Sequence, residues 1–206
     1  MEQPSTPAVD IIASLASSTG LRFEDIKLLV RHLREEGYFV REVKGPRSPR
    51  ATFRHCANLV AAILSNYPAR RVAEAVKRLE ETELNGEDYR HLVDIPENER
   101  PPWFVLSNKE HHSFIDHLED LIRYTANDTY AGSKLDVDWW NIEVDQVSME
   151  GNIWLSWNNS PDPMTNPSSS HFQYLPSGPV HERPFSRKSS IRLSVILDLA
   201  KALSNA

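Results

Sequence analysis

The chain has 206 residues, of which 40% are hydrophobic and 25% are charged, a composition typical of a globular protein with one or two domains. It contains no run of 18 apolar residues, so we expect no transmembrane helix, and its first ten residues lack the pattern of a signal peptide. The single cysteine, Cys56, excludes an internal disulfide and a cysteine-built zinc site. We therefore expect a cytoplasmic protein.

The formal net charge of −6 is distributed unevenly along the chain. Residues 21–78 carry 13 Lys or Arg and 6 Asp or Glu, whereas the rest of the chain carries 10 Lys or Arg and 23 Asp or Glu. A basic segment joined to an acidic one indicates a protein in which one part contacts nucleic-acid phosphates. A basic face that contacts only solvent would give the same count.

The first 40 residues predict a short arm and two helices. Residues 1–8 contain two prolines and no periodicity, so we expect a disordered arm there. A helix follows from residue 10 and breaks at Gly20, which tolerates a left-handed backbone. A second helix covers about residues 22–36 and ends at Gly37. Its apolar face consists of Phe23, Ile26, Leu29, Val30 and Leu33.

Residues 38–53 predict a short β-hairpin with a basic tip. Apolar residues alternate at both ends, and Gly45, Pro46 and Pro49 indicate an exposed turn between them. The basic residues of this segment are Arg41, Lys44, Arg47 and Arg50. A rigid cationic tip loses little conformational entropy when it binds phosphate. Two more helices follow, which begin near Thr52 and Pro68.

The rest of the chain predicts a linker and a second α+β unit. Asn85-Gly86 and the proline-rich residues 95–102 indicate a linker over residues 85–108. The elements predicted beyond it are a helix at 109–124, strands at 136–147, 151–157 and 172–175, an alternating segment at 189–193 and a final helix.

The first two predicted helices have the spacing of a helix-turn-helix. This motif needs two short helices joined by a tight turn, so that the second can lie in the major groove of DNA. Ile26, Val30 and Leu33 would pack the second helix onto its partner. The opposite face then presents Arg22, Lys27, Leu28, Arg31 and Arg34.

This segment resembles the winged helix-turn-helix of MerR-type regulators and of related phage DNA-binding proteins. The resemblance rests on the runs LASSTG, LREEGYF and RHCANLVAAIL and on the basic hairpin before the last of them, and it covers about a third of the chain. It implies a winged helix-turn-helix, which we place at residues 1–84. The residue patterns beyond it add a linker at 85–108 and a helix-plus-small-antiparallel-sheet domain at 109–206 for dimerisation or partner binding, so the predicted fold class is α+β.

The resemblance also implies roles for individual residues. The recognition helix would cover about residues 22–36, and the side chains facing base edges would be Arg22, Lys27, Leu28 and Arg31. The wing would cover about residues 38–53. The side chains that contact the DNA backbone or the minor groove would be Arg41, Lys44, Arg47 and Arg50. Arg54, at the return from the wing, would contact a phosphate. Arginine suits both tasks because its planar fork binds guanine O6 and N7 as well as phosphate.

The same helix residues also allow another interpretation. Arg31 and Arg34 could lie on a solvated face, where Glu35 is one helical turn from Arg31. Glu24 and Asp25 favour the helix dipole but would repel phosphates, unless they accept hydrogen bonds from cytosine N4. The residues alone leave both interpretations open.

Two other clusters have both a functional and a structural explanation. One cluster consists of His111, His112, Asp116 and His117. His112 and Asp116 lie one helical turn apart and could bind a metal, but a polar helix face explains the same residues. Four of the five tryptophans lie close together and would pack a small sheet or form a partner surface. They are Trp139, Trp140, Trp154 and Trp157.

We expect no metal, no cofactor and no catalytic residues, because the chain lacks nucleophile, zinc-protease and phosphate-loop motifs. The sequence instead predicts a homodimeric, sequence-specific regulator of transcription that binds double-stranded DNA, with a further protein partner for the C-terminal domain. The alternatives are a DNA-recognition subunit of a phage packaging machine, similar to a small terminase, and a non-catalytic adaptor that binds proteins.

The wing residues give a first testable prediction. Replacement of Arg47 by alanine should weaken binding to all duplexes about equally, because a phosphate contact carries no sequence information. The slope of log affinity against log salt concentration should decrease in magnitude by about one. Fluorescence anisotropy at several salt concentrations measures both quantities, and an unchanged salt slope would exclude the phosphate contact.

Overall fold

The structure is a computed structural model that describes residues 6–40, 50–87, 113–126, 141–157, 168–176 and 187–204. Within these ranges the chain forms six α-helices, a five-stranded antiparallel sheet and a separate two-stranded ladder, which confirms the predicted α+β class. None of the described helices is both long and apolar enough to cross a lipid bilayer.

Helices α1 (Ala8–Thr19) and α2 (Phe23–Glu35) are joined by a three-residue turn. Gly20 has a φ of 73°, a left-handed conformation that glycine adopts without strain, and its N–H donates to the carbonyl of Ala16. The Thr19 hydroxyl donates to the carbonyl of Leu15 and accepts from the N–H of Leu21. The left-handed Gly20 confirms the predicted break between the first two helices.

Two short strands pair next to this motif. Strand β1 (Thr6–Pro7) pairs antiparallel with β2 (Arg50–Ala51), so the prediction of a disordered arm over residues 1–8 is wrong at its last three residues, since Ala8 begins α1. A two-residue strand ending in proline has no periodicity to detect, and proline is tolerated at a strand end. The predicted wing tip, residues 41–49, lies outside the described residues.

Helix α3 (Phe53–Ser65) occupies the centre of the fold. Thr52 caps it: the hydroxyl of Thr52 accepts from the N–H of His55, and the Nδ1 atom of His55 accepts from the N–H of Thr52. Ten of its thirteen residues are buried, including Cys56, and burial raises the pKa of that thiol. Left-handed Asn66 ends the helix, and the 3₁₀ turn Ala69–Arg71 and helix α4 (Val72–Glu80) follow.

The larger sheet has the strand order β3-β6-β5-β4-β7. Its strands are β3 (Thr82–Glu87), β4 (Asn141–Asp145), β5 (Glu150–Trp157), β6 (Ser168–Pro176) and β7 (Lys188–Arg192). Helix α5 (Phe114–Ala126) packs close to it: a Cβ atom built on Gly151 would lie 2.3 Å from the Phe114 ring, so no larger residue fits there unless the ring moves. Helix α6 (Leu193–Ser204) follows β7 directly.

Both predicted halves of the chain contribute to one continuous core. Helix α6 packs against α1 and α5, and α3 packs against α5. Strand β3 crosses the predicted boundary at residue 84, so the first three linker residues belong to the sheet. The Asn85-Gly86 signal marks an irregularity in β3 between Leu84 and Gly86 rather than the start of a loop. The division into two domains stays a prediction.

The α3 cap predicts a pH-dependent stability. Burial lowers the pKa of His55 below its usual value near 6.5. The unfolded chain therefore binds a proton at His55 more strongly than the folded protein does. Stability should therefore fall as the pH falls from about 7.5 through about 6.5 to about 5.5. The His55→Gln variant keeps a hydrogen-bonding group at the same cap position but cannot titrate in this range.

Urea unfolding of both proteins across this pH range measures the effect. We expect His55→Gln to lose less stability than the parent on acidification. At the upper end of the pH range the two proteins should have similar free energies of unfolding. The same loss in both proteins would show that His55 is not the titrating group.

Candidate nucleic-acid interface

Helix α2 has one fully buried face and one exposed face. Ile26, Val30 and Leu33 have no solvent exposure and pack into the core. The opposite side exposes Arg22, Lys27, Leu28 and Arg31, the four residues for which the resemblance implies contacts with base edges. The side chains of Arg22 and Arg31 are 83% and 72% exposed. The buried face fixes the position of the helix, and the exposed cations can therefore meet an external anion.

Each exposed cation of α2 has a carboxylate partner on the same helix. Arg22 donates two hydrogen bonds to Asp25, at 2.8 and 2.7 Å, and this contact lowers the pKa of Asp25. The Nε atom of Arg31 lies 3.1 Å from Glu35, whose pKa is lowered by this hydrogen bond. The Nζ atom of Lys27 lies 3.4 Å from Glu24. Such exposed pairs are screened by solvent and contribute little, so another anion can displace the carboxylate.

Arg34 has a different environment from the other four residues. Its Nε atom donates to the carbonyl of Val40 at 3.0 Å, and its guanidinium lies over the ring of Phe39 at 5.7 Å. The Nδ2 atom of Asn58 donates to the carbonyl of Tyr38 at 2.9 Å. These contacts fix the chain that leaves α2 against α3, so Arg34 positions the start of the predicted wing.

The predicted wing cations are only partly described. Arg50 is exposed in β2, where it pairs with Pro7. Arg41, Lys44 and Arg47 lie outside the described residues and remain predictions. The two ends of this segment are nevertheless fixed, one by the contacts of residues 38–40 and the other by the β1–β2 ladder.

The structure corrects the role proposed for Arg54. Its guanidinium lies between three acidic residues, Glu80 on α4 and Asp116 and Glu119 on α5, and its side chain is 29% exposed. The interaction with Arg54 and the hydrogen bonds from Ser113 keep the pKa of Asp116 low despite burial. These partners lie 26 to 65 positions away in the sequence, so no local pattern could reveal them. We therefore remove Arg54 from the DNA-contacting set.

A cation that the sequence reasoning missed lies beside α2. Arg70, in the 3₁₀ turn, lines a groove of about 560 Å³ together with Leu28, Arg31 and Glu35. Its position next to the exposed face of α2 depends on the path of α3, which no sequence spacing predicts. A larger open cleft of about 710 Å³ lies on the other side of Leu28, between α2 and the start of α6.

The other predicted clusters do not form a site among the described residues. Asp116 is engaged by Arg54 and Ser113, and His117 is buried and hydrogen-bonded to Tyr174. Within the described ranges, no three His, Cys, Asp or Glu residues are arranged to hold a metal. His111, His112, Trp139 and Trp140 lie outside these ranges, and Trp154 is partly buried in β5.

The Arg54 cluster gives a stability prediction. Arg54→Met keeps most of the side-chain stem but leaves the surrounding carboxylates without their cation, and should lower the free energy of unfolding by about 2 kcal/mol. Arg71→Met is the control, because Arg71 has an exposed pair with Glu74 and should change stability by less than about 0.5 kcal/mol. Chemical denaturation measures both variants. Equal effects would contradict the structural role of Arg54.

Comparisons of this chain with protein-family models, with curated proteins and with solved structures give no match. A functional interpretation therefore depends on the geometry of α2 and its surroundings.

Proposed function

We propose that this protein binds duplex DNA by placing α2 in the major groove, and that it does so as a homodimeric, sequence-specific regulator of transcription. The observation that carries the proposal is the two-sided character of α2. One side is fully buried in a rigid core, and the other presents three long cations and a leucine to solvent. A helix held in this way behind a tight turn has the form of a recognition helix.

The exposed side chains suit both kinds of DNA contact. In the proposed complex, Arg31 lies in the middle of the exposed face and donates two hydrogen bonds to guanine O6 and N7. Arg22 and Lys27 lie closer to the start of the helix, where phosphates and base edges are both within reach. The helix carboxylates release their cations on binding, because DNA offers a denser array of negative charge than Glu24, Asp25 and Glu35.

The contribution of the wing supports the same orientation. The ends of residues 41–49 are held beside α2 by Arg34, Asn58 and the β1–β2 ladder. The sequence between these ends carries Arg41, Lys44 and Arg47, whose charges would add to the attraction for phosphate. Most of the affinity would then come from counterion release and most of the specificity from α2.

The first experiment measures binding to random-sequence duplexes at two salt concentrations, followed by selection from a randomised pool. The proposal predicts steep salt dependence and an enriched, two-fold symmetric motif. An enriched motif without symmetry would exclude the homodimeric arrangement. Absence of binding at low salt would exclude DNA as the partner and favour the protein-binding adaptor.

The Arg31→Ala variant tests the recognition role of α2. It should lose about 1–3 kcal/mol of binding free energy at the selected site and little at random sequence, because only the bidentate base contact distinguishes the two. Lys201→Ala removes an equally exposed cation from α6 and should bind both duplexes as the parent does. Equal losses for Arg31→Ala on both duplexes would contradict a base contact.

A further inference from the structure

Leu28 is an exposed leucine next to the exposed cations of α2. It is 45% exposed and lies about half a turn around α2 from Ile26 and Val30, which have no exposure. Lys27 precedes it, and Arg31 lies one helical turn further on. It also lines both the groove towards Arg70 and the cleft towards α6, so it lies on the ridge between them. Nearly half of its surface is nevertheless open to solvent, on the face that also carries Lys27 and Arg31.

We infer that Leu28 reads the C5-methyl group of a thymine, an inference that rests on the proposed DNA-binding function. A leucine has no hydrogen-bonding group, so it cannot recognise the donors and acceptors of a base edge. The one apolar group that a base pair presents in the major groove is the methyl group of thymine. Burial of this methyl group against Leu28 removes apolar surface of both partners from water, which favours the contact.

The position of Arg31 fixes where the thymine lies. Residues three apart on a helix are separated by about 4.5 Å along its axis, and neighbouring base pairs by about 3.4 Å. Leu28 and Arg31 therefore contact adjacent base pairs when α2 follows the groove. The target contains a T·A pair next to the G·C pair that Arg31 recognises, and neither residue is sufficient to define the site alone.

The test uses the duplex obtained by selection and replaces its thymines one at a time by deoxyuridine. This replacement removes the methyl group and leaves every hydrogen-bonding atom of the base unchanged. The parent should bind about fourfold more weakly when the thymine next to the contacted guanine is replaced, since one buried carbon is worth about 0.8 kcal/mol. The other replacements should have smaller effects.

The Leu28→Ala variant assigns the effect to one side chain. It should bind the thymine duplex about fourfold or more weakly than the parent, and bind the thymine and deoxyuridine duplexes equally. Val9→Ala is the control: Val9 is 54% exposed on α1, and its removal should leave the deoxyuridine effect intact. Alanine favours helix and Leu28 is exposed, so circular dichroism should show the same fold in both variants.

The outcomes separate this inference from the proposed function. A parent that binds its selected duplex but tolerates deoxyuridine at every position overturns the thymine contact and leaves the DNA-binding proposal in place. A Leu28→Ala variant that still distinguishes thymine from deoxyuridine shows that another residue reads the methyl group. A parent that binds no duplex overturns both.

Discussion

The rest of the structure depends on the burial of α3 on nearly all sides. Ten of its thirteen residues are buried, and it packs against α2, α4, α5 and two strands of the larger sheet. Alanines at positions 57, 61 and 62 allow its neighbours to approach closely. Because α3 contacts both α2 and the C-terminal elements, its position determines which face of α2 is exposed to solvent.

The cations at the start of α3 and on α2 have different surroundings. At its start, Arg54 lies among acidic residues from α4 and α5, and this partly buried cluster connects elements far apart in the sequence. On α2 the cations have carboxylate partners within four residues and remain exposed. Removal of one partner from the buried cluster leaves charges poorly solvated, whereas the exposed pairs exchange readily with water and ions. Arginine therefore connects distant elements of the fold in one place and forms exposed, local pairs in the other.

The sequence predicts the helices of the first half because each has a clear apolar periodicity, and because Gly20 and Gly37 mark the ends of the first two. The buried face of α2 was predicted from Ile26, Val30 and Leu33, and the turn was predicted from Gly20. Strand β1 could not be predicted, since two residues carry no pattern and their partner lies 43 or more positions away. The position of Arg70 beside α2 and the acidic partners of Arg54 likewise arise only from tertiary contacts.

The carboxylates of α2 bear on specificity in the proposed complex. Arg31 already has Glu35 at hydrogen-bonding distance, so a contact with a random base must compete with an existing partner. Only guanine offers two acceptors in the geometry of the guanidinium fork, so the exchange favours that base over the others. Breaking the Arg31–Glu35 pair costs the same free energy whichever base is contacted, so Glu35 lowers every affinity and leaves the discrimination to the second acceptor of guanine. Guanine regains more of this cost than a base with one acceptor does, so an acidic residue beside Arg31 is compatible with the proposed DNA contact.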